Sequence, residues 1–142
     1  MNLGVWRSLL LNRIADSIWK KGLYYSKKMY ENFGYDSSWE LYKMHQLDID
    51  EEVQYWTKKH RIHLEYFFKG KKTFHVPDFL IVYKNDDIVL EEIKGYDNKE
   101  KLLEKQKIAK EYCDRMGFIY KSTTYDKKMI RKFFKEKETK AL

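Results

Sequence analysis

Two apolar stretches joined by a short polar turn restrict what this chain can fold into more than any other feature. The first covers residues 73–83 and ends in FLIVY, the second covers residues 88–94 and begins with IVL, and NDD lies between them. Branched and aromatic residues separated by Asn and Asp predict two antiparallel strands. Asp78 lies within the first stretch, and Glu92 and Lys94 end the second. Charge beside buried strands is costly unless it is compensated, so these three side chains need an explanation.

The remaining pattern predicts an α/β fold with one central sheet. Residues 61–68 alternate between apolar and polar side chains, which predicts a strand that completes an antiparallel meander. A helix over residues 98–116, followed by a short strand at FIYK, fits a crossover to a parallel strand. The expected core is therefore a four-stranded mixed sheet, a meander plus one parallel strand, flanked by helices. The other predicted elements are helices over 3–20, from Ser37 or Ser38 to 46, over 51–60 and over 126–138, and an irregular aromatic and basic arm over 23–36.

Positive charge dominates the composition. The 142 residues include 29 Lys and Arg against 22 Asp and Glu, a net charge of +7. This excess favours a polyanionic partner, most simply nucleic acid, although a merely soluble basic protein is the alternative. The single Cys113 excludes a disulfide framework and a cysteine zinc site, and it indicates a reducing, cytoplasmic location. No apolar run approaches the length of a membrane span, and Arg7 and Arg13 argue against a signal peptide.

The charged residues of the strand pair suit metal chemistry. Glu92 and Lys94 are two positions apart and therefore point to the same face of their strand, and Asp78 is expected nearby on the neighbouring strand. Two adjacent carboxylates repel unless a cation lies between them, and oxygen ligands favour Mg²⁺ or Mn²⁺. A lysine beside them can hold a phosphate or orient a water, so the set suits metal-assisted phosphodiester hydrolysis. The alternative is a surface Glu92–Lys94 salt bridge with Asp78 at a strand edge.

Three histidines form a weaker candidate. His60, His63 and His75 without nearby cysteines are typical of surface or hydrogen-bonded residues rather than of a metal cluster. His75 lies three residues before Asp78, which gives it the opposite parity on a continuous strand. A direct catalytic role is therefore not predicted for it.

The charged set resembles the motif of the PD-(D/E)XK nuclease superfamily. Pro77-Asp78 and Glu92-Ile93-Lys94 match the motif, and the predicted order of elements over residues 36–121 matches the core. The resemblance implies a restriction-endonuclease-like fold, with Asp78, Glu92 and the main-chain carbonyl of Ile93 as metal ligands and Lys94 as the catalytic lysine. It also implies a further acidic residue on the preceding helix, for which Glu40 is the candidate. Glu40 has a second interpretation, because Ser37-x-x-Glu40 is also a capping box.

A narrower resemblance implies a function. The layout is similar to that of small phage and homing-type endonucleases, of transposase nuclease subunits and of very-short-patch repair endonucleases. It implies a Mg²⁺-dependent endonuclease acting on double-stranded DNA, as a homodimer because two strands need two sites, and a phage origin within a bacterial host is one expectation. Residues 1–35 are predicted to be an N-terminal helix and arm, and residues 36–142 the nuclease core with its basic C-terminal helix. A Holliday-junction resolvase and a non-catalytic DNA-binding or assembly module remain alternatives.

Overall fold

The computed structural model describes residues 21–94 and 99–141, with side chains up to residue 136. The predicted helix over 3–20 lies outside these residues. Within them the chain is an α/β protein with three helices and eight strands. The strands are β1 (Gly22–Ser26), β2 (Glu31–Tyr35), β3 (Val53–Thr57), β4 (Leu64–Phe68), β5 (Lys71–His75), β6 (Phe79–Tyr83), β7 (Ile88–Ile93) and β8 (Ile119–Thr123), and the helices are α1 (Ser38–Ile49), α2 (Lys99–Met116) and α3 (Lys127–Ala141).

The chain divides into two compact units. Among the described residues, the first contains 21–49 and 125–141, and the second contains 50–94 and 99–124. The predicted boundary between residues 35 and 36 falls inside the first unit, and the roles predicted for the two segments stay predictions.

The first unit contains a β-hairpin, where the sequence had predicted an irregular arm. β1 pairs with β2 in antiparallel register, from Gly22↔Tyr35 to Ser26↔Glu31. The prediction was wrong because the alternation of buried and exposed side chains is not one of apolar and polar residues. Leu23 and Tyr30 are exposed, whereas Ser26, Phe33 and Tyr35 are buried.

Helix α1 follows this hairpin and begins as predicted. The Glu40 N–H donates to Ser37 Oγ at 3.2 Å, which makes Ser37 the N-cap. The helix is buried along much of its length, including Met44 and Leu47. Tyr42 contacts Tyr125 and Phe133 edge to face, with ring centroids 4.8 and 4.7 Å apart, which ties the helix to the C-terminal segment of the same unit.

The second unit contains the four-stranded mixed sheet. Its order is β3–β6–β7–β8, with antiparallel pairs except for the parallel pair β7–β8. The predicted fold class is therefore confirmed, but the first strand of the meander is β3 and not residues 61–68. The predicted helix over 51–60 is also wrong, because residues 53–57 form strand β3. The register shifts between Val53 and Tyr55, so Val53 and Trp56 are both buried at a spacing that imitates a helix.

Residues 61–75 form a separate hairpin inserted between β3 and β6. β4 pairs with β5 in a two-stranded sheet, from Leu64↔His75 to Phe68↔Lys71. The predicted strand over 73–83 is thus two strands in two sheets. The break falls at Pro77, which has no N–H for a sheet ladder, and it directs β6 away from the hairpin.

Helix α2 and strand β8 lie as predicted. Gly117 adopts φ +75°, and the Phe118 N–H donates to the Cys113 carbonyl at 2.8 Å, which closes the helix in a left-handed C-cap. Ala109 and Cys113 form the buried side of the helix. β8 then pairs with β7 in parallel, with Leu90 opposite Tyr120, so that the end of β7 lies between two neighbours. No helix in the described ranges is long and apolar enough to cross a membrane.

Candidate active site

Asp78 occupies the break between the hairpin and the central sheet. Pro77 before it is fully buried, and its carbonyl accepts a hydrogen bond from His60 Nε2 at 2.7 Å. The Ile62 N–H donates to His60 Nδ1 at 3.0 Å, so the imidazole is the neutral tautomer that carries its proton on Nε2. Burial lowers the pKa of His60, against the effect of the bond to Pro77. His60 is therefore a hydrogen-bonded residue, as predicted, and it fixes the segment that presents Asp78.

The Asp78 carboxylate lies at the end of β7. Its Oδ2 accepts a hydrogen bond from the Ile93 N–H at 2.7 Å. The register Phe79↔Glu91, continued by one position, places Asp78 opposite Glu92. Opposite positions on neighbouring strands share a face, so this extension of the register predicts both carboxylates on one side of the sheet. The structure thus brings the Pro-Asp and Glu-x-Lys halves of the motif together.

Glu92 is a buried carboxylate with three partners. Its exposed fraction is 1%. Glu92 Oε2 accepts hydrogen bonds from Lys94 Nζ at 2.8 Å and from the Tyr120 hydroxyl at 2.8 Å, while Oε1 contacts His75 Nε2. An isolated buried carboxylate would be strongly unfavourable, and these donors compensate its charge. The surface salt bridge considered as an alternative is excluded by the burial of Glu92, whereas the Glu92–Lys94 pairing itself is present.

His75 and Tyr120 were missed by the sequence argument. His75 ends β5, and its side chain is 11% exposed where it meets Glu92. The prediction against His75 assumed that His75 and Asp78 lie on one continuous strand. The alternation of side chains between the two faces does not continue across Pro77. Tyr120 comes from the parallel strand, and both burial and the charge of Glu92 raise the pKa of its hydroxyl. The hydroxyl consequently stays protonated and donates to Glu92. Pro77 was the sequence signal that could have identified His75, because it marks the end of the strand. Tyr120 could be placed near Glu92 only once the β7–β8 register was known.

Two further residues near Glu92 serve the framework. Cys113 is buried, and burial together with the charges of Asp114 and Glu92 raises the pKa of its thiol to about 11. It is therefore a neutral thiol and not a nucleophile near pH 7. Glu91 faces the opposite side of β7, is 1% exposed, and accepts a hydrogen bond from Thr123 Oγ1 at 3.0 Å.

Glu40 lies in the first unit, on the first turn of α1, and is 7% exposed. Its backbone N–H takes part in the Ser37 cap. Asp78, Glu92 and Lys94 belong to the second unit, and the active-site role predicted for Glu40 stays a prediction.

The donor set of Asp78 and Glu92 fits a hard divalent cation. Mg²⁺ needs only one or two carboxylates, because water and substrate phosphate complete its shell. Within residues 21–94 and 99–141, no cluster of three His, Cys, Asp or Glu side chains is placed to enclose a metal ion. Two carboxylates on one face, with a lysine beside them, suit an open magnesium site better than a closed structural zinc site.

The comparisons with known proteins agree with the core of the fold. No curated protein matches the chain. A family model described as the TnsA-like endonuclease N-terminal domain matches residues 50–125, which is more than half of the chain and nearly coincides with the second unit. This family of transposase nuclease subunits belongs to the restriction-endonuclease-like PD-(D/E)XK superfamily, so the predicted resemblance is confirmed. A nuclease domain of this type implies a DNA substrate. The chain belongs to the TnsA-like endonuclease N-terminal family.

Proposed function

We propose that this protein is a metal-dependent DNA endonuclease of the transposition type. The observation that carries the proposal is the buried Glu92 carboxylate, held by Lys94 on the face of the sheet that also presents Asp78. Stability alone does not explain a buried acid–lysine pair at the end of a strand, because apolar residues of similar volume are often at least as stabilising there. The pair is thus better explained by chemistry than by stability.

Asp78 and Glu92 would hold Mg²⁺ or Mn²⁺, with the carbonyl of Ile93 as a further ligand. The bound ion supplies Lewis-acid stabilisation of the phosphate and lowers the pKa of a water.

The chain's own residues prepare this site. The Ile93 N–H fixes one oxygen of Asp78. The Tyr120 hydroxyl donates to Oε2 of Glu92 and His75 contacts Oε1, so that the orientation of the carboxylate does not depend on Lys94 alone. Lys94, whose side chain is 14% exposed, carries a positive charge to the face where the scissile phosphate would lie. There it stabilises the negative charge that develops on the phosphate and orients the attacking water.

The DNA substrate has two consequences for the proposal. Cleavage of both strands requires two sites, so the protein acts as a homodimer. Because its substrate is DNA, we also expect the protein to act inside the cell.

The test is cleavage of supercoiled plasmid DNA by the parental protein and by Asp78→Ala, Lys94→Ala and Asp86→Asn, with Mg²⁺ or with EDTA. Asp78→Ala should abolish cleavage. Lys94→Ala should slow the single-turnover rate by about 10²–10³, as expected for the loss of one charge-stabilising group. Asp86 lies on an exposed turn and serves as the matched control.

Parental cleavage by Asp78→Ala or Lys94→Ala would show that the site is elsewhere. Cleavage that persists in EDTA would contradict the metal dependence. Synthetic four-way junctions tested beside linear duplexes separate this proposal from a junction resolvase, which would prefer the junctions.

A further inference from the structure

The β4–β5 hairpin has one buried face and one exposed face. Leu64 and Tyr66 are 5% exposed each, and β4 packs against α2. The alternate positions, Glu65 and Phe67, are exposed. The hairpin is therefore anchored by one face and leaves the other available to a partner.

Two phenylalanines occupy the exposed face. Phe67 is 64% and Phe74 is 58% exposed. The register pairs Phe67 with Lys72 and Glu65 with Phe74, which makes the two rings diagonal neighbours. Lys72 Nζ lies 5.9 Å from the centre of the Phe74 ring and 3.3 Å from Glu65 Oε2. Two exposed rings beside a lysine resemble the mixture that binds the bases and phosphates of unpaired nucleic acid.

The charge of this segment matches a polyanion. Residues 58–72, KKHRIHLEYFFKGKK, contain six Lys and Arg and one acidic residue. Lys69, Lys71 and Lys72 lie at the exposed turn, and Lys69 Nζ lies 5.4 Å from the centre of the Phe68 ring. The segment holds most of the positive excess of the chain, so a phosphate backbone is the partner that its charge favours.

The groove that the hairpin tip forms with α2 is less suited to phosphate, although Phe67 and Lys69 also border it. A groove of about 420 Å³ between the tip and α2 is lined by Phe67, Phe68, Lys69, Glu100, Leu103 and Glu104. The two glutamates repel phosphate from this groove. The exposed face of the hairpin is consequently the side that nucleic acid can approach.

The hairpin also leads directly into the candidate active site. β5 ends at His75, which contacts Glu92, and Asp78 follows three residues later. We infer that the exposed face of the β4–β5 hairpin docks DNA beside the cleaved phosphate. Phe67 and Phe74 stack on unpaired bases, Lys72 contacts the backbone from the same face, and Lys69 and Lys71 contact it from the tip of the hairpin. This inference rests on the proposed function, because it names the part of the DNA that the same site engages.

The experiment measures binding of the full-length protein to fluorescent DNA by anisotropy in EDTA. The two probes are a fully paired duplex and the same duplex with four unpaired nucleotides at its centre. The double variant Phe67→Leu/Phe74→Leu keeps the apolar character of the face but removes both rings. It should lose about tenfold or more of its affinity for the unpaired probe and much less for the duplex. Leu23→Ala/Tyr30→Ala, at two exposed positions in the first unit, is the matched control and should bind both probes as the parent does.

A second series tests the lysines through salt dependence. The triple variant Lys69→Gln/Lys71→Gln/Lys72→Gln should reduce the slope of log K against log salt by about 2, since each lost phosphate contact removes about 0.7–0.9. Lys107→Gln/Lys110→Gln, on the exposed side of α2, should leave the slope nearly unchanged.

The outcomes separate the two proposals. If the parental protein binds neither probe, the proposed function falls together with this inference. If the parent binds while both hairpin variants bind as the parent does at every salt concentration, the hairpin inference alone is overturned. Displacement of the DNA by poly-glutamate at equal charge concentration, with no effect of the phenylalanines, would point to an acidic protein partner and would likewise overturn it.

Discussion

A single residue, Glu92, organises the candidate site. Its carboxylate is buried at the end of β7, and its neighbours arrive from three different strands or strand ends: His75 from β5, Tyr120 from β8 and Lys94 from its own strand. Lys94 and Tyr120 both donate to Oε2, and His75 contacts Oε1, so the carboxylate keeps one orientation. Rigid placement of a metal ligand before the metal arrives is what precise phosphate chemistry requires.

Tyr120→Phe tests this arrangement without changing charge. The variant removes one hydrogen bond to the buried carboxylate, so we expect the free energy of unfolding to fall by about 1–3 kcal/mol. The measurement is urea unfolding without divalent metal. Tyr55→Phe, at an exposed position on β3, should unfold as the parent does. An unchanged midpoint for Tyr120→Phe would mean that the hydroxyl contributes nothing to holding Glu92.

Sequence predicted the elements of the second unit better than it predicted their partners. The motif residues Asp78, Glu92 and Lys94 could be proposed from the sequence because a proline and a two-residue spacing are local signals. The assignment of strands to sheets is not local. Pro77 divides one apolar stretch between two sheets, and the bulge after Val53 gives a strand the spacing of a helix. His75 could not be placed on the correct face until that division was known.

The segment that joins β3 to β4 supports the site through one hydrogen bond. His60 donates to the Pro77 carbonyl and holds the chain one residue before Asp78. Because burial lowers its pKa below the ordinary value of 6.5, the folded protein binds fewer protons than the unfolded chain in this range. The unfolding free energy contributed by this group is therefore present above about pH 6.5 and is lost as pH falls through the lowered pKa.

We accordingly expect the parental protein to lose stability between neutral pH and the lowered pKa of His60. His60→Gln should be less stable at pH 7.5 but should show a flatter pH dependence over that window. His63→Gln changes an exposed histidine whose charge is the smallest of the causes acting on the His60 pKa, so it should nearly keep the parental slope. Thermal unfolding measured at several pH values makes the comparison, and equal slopes for the parent and His60→Gln would contradict the role given to His60.

The whole molecule carries a net charge of +7, and the family match covers the unit that contains the candidate site. We therefore expect DNA binding to depend on the basic surface and DNA cleavage to depend on the candidate site. Lysine contacts to phosphate release counterions, so affinity for DNA should fall steeply as salt rises from 50 to about 200 mM.

Asp78→Ala should show the same salt dependence as the parent and bind at least as tightly in EDTA, because it removes a negative charge from the surface that faces phosphate. Anisotropy titrations with one duplex at several salt concentrations provide the measurement. A flat salt response would contradict the phosphate-binding role of the basic surface, and weak binding by Asp78→Ala would mean that this carboxylate shapes the protein rather than the reaction.

The inserted hairpin can be exchanged without disturbing the strand pairing of the central sheet. β4 and β5 satisfy each other's backbone hydrogen bonds, whereas β3 and β6 pair directly in the central sheet. Exchanging the hairpin for another of the same span would leave no sheet edge without its partner, provided that Leu64 and Tyr66 keep their contacts beneath it. If the exchanged hairpin also keeps His75 at the end of β5, the contact with Glu92 is preserved. Under the proposed function, such an exchange would give the chain a different preference for target DNA while Asp78, Glu92 and Lys94 stay in place.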